Sequence, residues 1–239
     1  MERAGSLLRR AERVVVFTGA GVSAESGIPT YRSGPDALWS AEKFERYANP
    51  RGYRAHLPDS YTWYRQRARD AAAAQPNAGH AAIVELEARV AQLLVVTQNV
   101  DGLHVRAGST DVIELHGHLR TARCADCGVH VDWPVAPAHP RCAGCDGMLR
   151  PNVVMFEEPL SQRDLARAHA AAQRCDVLLS VGTSNLVWPA KELPMAAHSA
   201  GASVVIVNPD LTGQPTGERI LHISGRAGAI LPRLVIQGS

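Results

Sequence analysis

Four cysteines carry the most specific chemistry in the chain. Cys124 and Cys127 are separated by two residues, Cys142 and Cys145 likewise, and fourteen residues lie between the pairs. Each pair can turn two thiolates toward one ion, with Gly128, Gly144 and Gly147 expected to allow the tight turns. Four sulfurs favour tetrahedral Zn²⁺, and a closed shell leaves no position for water or substrate. One structural Zn²⁺ is therefore expected, supplying folding energy to a segment too small for a core of its own. Two disulfides or an iron–sulfur site are the alternatives the spacing leaves open. Cys175 stands alone before an apolar run and reads as a small buried hydrophobe.

Two further groups could do chemistry. Gly19-Ala20-Gly21 follows an apolar run, and such a turn lets backbone N–H groups approach a pyrophosphate at a helix N-terminus. Position 24 is Ala where the third glycine of the full fingerprint would stand, so an ordinary strand-to-helix turn is an equal alternative. His116 directly follows another apolar run, and an imidazole titrates near neutrality. Most of the ten histidines, His118, His130 and His139 among them, read as ordinary surface or capped residues.

These groups need elements to hold them. Apolar runs at 14–17, 93–96, 112–115, 177–181 and 204–207 are near-continuous, as strands covered on both faces would be. The segments 81–90 and 163–174 between them have helical composition, so the spacing predicts an α/β parallel sheet. Each run exits into small or polar residues: Gly19-Ala20-Gly21, Gln98-Asn99-Val100-Asp101, His116-Gly117, Gly182-Thr183-Ser184 and Asn208-Pro209-Asp210. Ligands of open parallel sheets bind beyond the carboxyl ends of the strands, so the five exits describe one polar site.

Composition bounds the rest. With 239 residues, 46% of them hydrophobic, the chain can bury a substantial core, which argues against a disordered or fibrous protein. A net charge of +2 without a run of Lys or Arg gives little reason to expect a nucleic-acid partner. Only Lys43 and Lys191 are lysines; arginine supplies the other basic residues. No apolar stretch reaches the roughly 20 residues of a membrane span, and the cysteine usage suits a cytoplasmic protein. The sequence carries no signal of oligomeric state.

Taken together, the stretch from Gly19-Ala20-Gly21-Val22-Ser23-Ala24-Glu25-Ser26-Gly27-Ile28-Pro29-Thr30-Tyr31-Arg32, Gln98-Asn99-Val100-Asp101-Gly102-Leu103-His104, His116-Gly117, Gly182-Thr183-Ser184 and the four cysteines resembles a sirtuin, an NAD-dependent protein lysine deacylase. The resemblance implies a Rossmann-like NAD-binding domain of residues 1–32, 77–120 and 151–239. It also implies a small lobe made of a helical insertion, 33–76, and a zinc-ribbon insertion, 121–150. The first insertion holds Trp39, Tyr47, Tyr53, Tyr61, Trp63 and Tyr64, and with Pro50 and Pro58 interrupting it should form short helices. NAD would be a consumed co-substrate, held by Gly19, Ala20, Gly21, Ser23, Glu25, Tyr31, Arg32, Gln98, Asn99, Asp101, Gly182, Thr183, Ser184, Asn208 and Ala227. Ala227 is expected in a loop against the adenine. His116 would be the general base: after the acyl oxygen displaces nicotinamide, it activates a ribose hydroxyl that captures the acyl carbon. The products are free lysine, nicotinamide and O-acyl-ADP-ribose.

Substrate residues follow from the same resemblance. Tyr64 and Arg67, three apart, share a face if 60–69 is helical, and a phenol with a guanidinium suits a carboxylate. The pattern is similar to that of the bacterial class III branch that removes succinyl and malonyl groups, as is Ala48, whose small side chain leaves room for a longer acyl chain. In an arginine-rich chain, a chance pairing on a solvated helix is the competing reading. Val154 and Phe156 would flank the bound acyl-lysine peptide, but Glu157 stands where the family usually has Gly, which bears on peptide docking; Tyr31 replaces the usual Phe. NAD glycohydrolysis, ADP-ribosyl transfer or a non-catalytic NAD-sensing module remain alternatives at this point.

Overall fold

The computed structural model describes residues 1–30, 41–133 and 139–236. The expected Tyr31 and Arg32 contacts lie outside these residues. Six parallel strands form the main sheet: β1 (Arg13–Thr18), β2 (Gln92–Thr97), β3 (Val112–Glu114), β7 (Val177–Val181), β8 (Ser203–Asn208) and β9 (Ile220–Ser224). Their order, β3-β2-β1-β7-β8-β9, is the 3-2-1-4-5-6 order of a doubly wound dinucleotide-binding sheet, with its switch point between β1 and β7. Side-chain alternation explains the unbroken valines. Val14 and Val16 enter one apolar cluster with α1 (Glu2–Arg10), α5 (Ala78–Glu87) and α9 (Ala227–Ile236). Val15 and Phe17 enter the cluster on the other face, with α7 (Gln162–Ala172) and α8 (Leu193–Ser199).

A three-stranded antiparallel sheet, β5-β4-β6, is built from β4 (Gly117–Cys124), β5 (His130–Asp132) and β6 (Leu149–Val153). It takes in more chain on both sides than the expected 121–150. Against it packs a helical segment of α2 (Ala41–Tyr47), α3 (Pro50–Ala55) and α4 (Leu57–Ala73), and the two share an apolar cluster with Tyr53, Tyr61 and Tyr64 facing Trp133 and Leu149. The prolines do not interrupt this segment. Pro50 and Pro58 occupy first-turn positions, where no backbone N–H is needed, so they start helices; α4 runs for 17 residues, not the short helix expected.

The four thiols meet the geometric requirement for one zinc. Their sulfurs lie within 4.8 Å of one another, with Cys124 Sγ to Cys145 Sγ 3.6 Å and Cys127 Sγ to Cys142 Sγ 3.8 Å, and all four cysteines are free. Zn–S bonds of about 2.3 Å in a tetrahedron space sulfurs about 3.8 Å apart. The glycines act differently from expectation. Gly128 takes φ +74°, but in the second knuckle the left-handed residue is Asp146, at φ +58°, instead of Gly144 or Gly147. Gly147 is needed for space: a Cβ there would stand 2.9 Å from Cys124 Sγ.

Candidate active site

Parallel pairing brings the strand exits to one edge. Thr18 lies opposite Thr97 on one side and Val181 on the other, and Val181 lies opposite Val207. The turns that follow interlock. Gly19 N–H donates to Val181 O (3.1 Å) and Gly21 N–H to Gly182 O (2.8 Å). A Cβ on Gly21 would stand 2.8 Å from Gly182 Cα, so the neighbouring turn is what excludes a side chain there. This corrects the helix N-terminus expected at the turn. Residues Ala20–Val22 and Ala24–Ser26 form short 3-10 turns, and the glycine N–H groups already have partners.

Behind this surface sits a polar layer. Ser23 is fully buried, accepts a bond from Asn99 Nδ2 (3.1 Å) and is bonded to the Asp101 carboxylate, which also accepts from Leu103 N–H (2.9 Å). Its hydroxyl therefore fixes Asn99 and Asp101 from within. Burial pushes the Asp101 carboxyl upward, against those hydrogen bonds. Gln98 Nε2 donates to Thr183 Oγ1 (2.9 Å), tying β2 to β7, while Thr183 O accepts from Asn208 Nδ2 (3.3 Å) and Gln214 Nε2 (3.0 Å). Gln214 went unnoticed in the sequence because it follows no strand directly. Ser184 is exposed beside Thr183.

Two expected contacts take another form. Ala227 is not in a loop: it opens α9, is 3% exposed and joins the apolar cluster, so close to Gly79 that a Cβ added there would stand 3.2 Å from the Ala227 Cβ. The Glu25 carboxylate accepts from Gly228 N–H (2.7 Å) in the first turn of α9, where negative charge is favoured.

His116 follows β3, with Nδ1 3.0 Å from Gln98 O. A carbonyl can only accept, so Nδ1 carries the proton and Nε2 keeps its lone pair. Burial pushes the imidazole below its ordinary range, partly offset by the Gln98 carbonyl, so the ring is neutral at pH 7. The chain then crosses into the small lobe. Val154 N–H donates to His116 O (2.9 Å), and Phe156 N–H donates to Ala48 O (2.8 Å). Tyr64 Oη–H donates to Tyr47 O (3.1 Å), so Ala48, Tyr64, Val154 and Phe156 form one neighbourhood linked to His116. Arg67 binds Asp70 Oδ2 (2.5 Å) beside the Trp63 ring, which stacks on Tyr47; its Nε–H is buried with no partner among the described residues. Tyr64 and Arg67 are thus both on α4, but each hydrogen-bonds within the protein instead of pointing at one shared acceptor.

The loop after Val153 is pinned by Arg150, 8% exposed, whose two nitrogens bind both Glu158 oxygens; Met155 N–H donates to Glu158 Oε2 (2.9 Å). Burial alone would raise the Glu158 carboxyl, but Arg150 and Met155 hold it below the usual carboxylate range. Glu157, between these anchors, takes φ +72°. The glycine expected here for close peptide approach is thus also what the backbone conformation itself favours. Glu157→Gly should raise stability by about 0.5–1 kcal/mol, the relief of a left-handed side-chain clash less the added chain entropy. A melting temperature unchanged or lowered in Glu157→Gly would show the turn to be unstrained.

Comparison with known proteins sets this geometry in context. A model of the Sir2 family matches residues 19–189. The "NAD-dependent protein deacylase 2" of Pyrobaculum aerophilum is 48% identical over 232 residues, 96% of this chain and 92% of its own. "NAD-dependent protein deacylase 1" of Pseudomonas aeruginosa is 45% identical over 242 residues, 96% and 95% of the two chains. Among solved structures, a Sir2 homolog–NAD complex superposes with a TM-score of 0.90 at 37% identity, covering 100% of this chain and 93% of that one.

Proposed function

Since the chain belongs to the Sir2 family and is an NAD-dependent protein deacylase, we propose that it favours acidic acyl groups, succinyl or malonyl, on protein lysines. NAD is its co-substrate, and the four-cysteine cluster fits a structural zinc. The observation that carries the acyl preference is the Arg67 guanidinium. It lies over the Trp63 ring, which in turn stacks on Tyr47, the neighbour in sequence of small Ala48, and retains a buried Nε–H without a partner among the described residues. A carboxylate is the acceptor that such a donor suits, and the Tyr64 hydroxyl, on the same helix, would become the second contact by turning its proton from Tyr47 O to the ligand.

In this reading the crevice above β1 and β7 takes NAD. Gln98, Asn99 and Asp101 surround the nicotinamide and its ribose, and the loops after β7 and β8 take the rest. NAD supplies a ribose carbon that loses nicotinamide to the acyl oxygen. His116 Nε2 then accepts a proton from a ribose hydroxyl while Gln98 O accepts from Nδ1–H at the ring's other nitrogen, and Ala48, Val154 and Phe156 keep the acyl-lysine beside it. No helix among the described residues is long and apolar enough to cross a membrane.

Peptides differing only in their acyl group, assayed with NAD by mass, test the proposal. A charge-assisted pair is worth roughly 1.5–3 kcal/mol, so succinyl or malonyl should exceed acetyl by about 10- to 150-fold in kcat/KM. Arg67→Met should narrow or reverse that ratio. Acetyl preferred with Arg67 intact would refute the acidic pocket, and nicotinamide released equally fast without peptide would favour glycohydrolysis.

A further inference from the structure

Below the NAD crevice lies a buried polar seam to which the reaction above gives no task. Thr18 and His80 are 0% exposed, Thr97 and His104 2%. Thr18 Oγ1 donates to Thr97 Oγ1 (2.8 Å), and Thr97 Oγ1 also accepts from Asn99 N–H (3.0 Å). His104 Nε2 lies 2.9 Å from Thr18 Oγ1. With its proton given to Thr97, the Thr18 hydroxyl has only lone pairs to offer, and His104 then donates through Nε2–H, which leaves Nδ1 as an acceptor; with both hydroxyls turned the other way, Thr18 donates to Nε2 and the ring proton sits on Nδ1. His80 has no such choice. Its Nδ1 accepts from Asn77 N–H (3.2 Å), so Nε2 carries its proton. The two leftover atoms, His104 Nδ1 and His80 Nε2–H, are both buried without partners among the described residues, on rings whose centroids are 4.9 Å apart. In the first arrangement one is an acceptor and the other a donor. The opposite His104 tautomer sets two N–H donors on adjoining rings.

The seam closes a loop of chain. Gln98 N–H donates to Thr18 O (3.0 Å) where β2 ends, and His104, on α6 (Leu103–Ala107), returns to Thr18 Oγ1 five residues after Asn99. Residues 98–103, which carry Gln98, Asn99 and Asp101, are therefore held at both ends by one threonine. We propose that Thr18 and His104 form a clasp that sets Asn99 and Asp101 against NAD. Both are positioning residues, since neither reaches the surface of the crevice. The proposal rests on the reading of Asn99 and Asp101 as NAD-facing groups.

Two measurements on the full chain decide it. In protein carrying ¹⁵N-labelled histidine, His104 should be neutral and its Nε2 resonance should shift in Thr18→Val; an Nε2 resonance untouched by Thr18→Val would overturn the clasp. In steady-state assays with NAD and an acyl-lysine peptide, Thr18→Val keeps the side-chain shape and loses the hydroxyl. It should raise the KM for NAD about tenfold and lower kcat, leaving the KM for peptide unchanged. Thr18→Ser, which restores the hydroxyl, should recover the NAD KM to within about twofold. If Thr18→Val only lowers the melting temperature and keeps wild-type NAD KM and kcat, the threonine is merely structural and the proposal fails. If Asn99→Ala leaves the NAD KM unchanged, the assignment of Asn99 fails, and the Nε2 resonance alone then decides the clasp.

Discussion

His116→Ala should lower the formation of deacylated peptide by about 10²- to 10⁴-fold, the usual contribution of a positioned general base. The loss should be uneven across the two stages. Attack by the acyl oxygen requires no proton to be removed, so release of nicotinamide should survive better than release of free lysine. A pre-steady-state burst of nicotinamide without matching deacylated peptide is the expected signature in the variant. Equal loss of both products would place His116 in the first stage instead. The pH profile gives a second check. A base must be neutral to act, and burial holds this ring below the ordinary value of 6.5. The acid limb of kcat/KM should therefore fall below pH 6.5, with the activity rising as pH rises through it and flat near neutrality.

Removal of zinc should have the other large effect. Cys124 and Cys142 are 2% and 4% exposed and belong to the same apolar cluster as Leu149, Trp133 and Tyr61. Structural zinc contributes about 10–16 kcal/mol of apparent binding energy in small domains, more than a three-stranded sheet can replace by packing. A strong chelator, or Cys142→Ala, should release about one zinc per chain and abolish deacylation. It should also disrupt the contact of Trp133 with Tyr61, whose rings lie 5.2 Å apart. Because the six-stranded sheet has its own two clusters, most of the far-ultraviolet circular dichroism should remain. Activity that persists after complete chelation would show that the lobe folds without metal.

Much of the scaffold was legible because burial on both faces of β1, β2, β7 and β8 demands uninterrupted apolar residues. β9 escaped notice for the complementary reason. It is an edge strand of partly exposed residues, and Ile220-Leu221-His222-Ile223 lacks a continuous apolar signature. The cysteine spacing revealed the metal centre since the ligands lie near one another along the chain. What could not be read were relations made only by the tertiary fold. Gly21 looks like a phosphate-loop glycine, but its need for no side chain comes from Gly182, far away in sequence. Ser23 reads as a ligand contact and proves to be wholly interior. The Thr18–His104 contact joins residues from two elements, neither of which carries a local pattern to announce it.

The passage from the large sheet to the cysteine-bearing lobe runs through Gly117, which pairs with Val153, and the return runs through Val154, bonded to His116. Gly117 is so crowded that a Cβ would meet Asn152 O at 2.3 Å. The outgoing and returning chains are thus pressed together at one spot, which makes that spot a fulcrum for any rocking of one lobe against the other. The imidazole adjoins it. Opening and closing would carry Ala48 and Phe156, proposed above to face the peptide, through a wide arc and displace His116, the proposed proton acceptor, least, so a substrate could enter or leave without the geometry around His116 being rebuilt at each turnover.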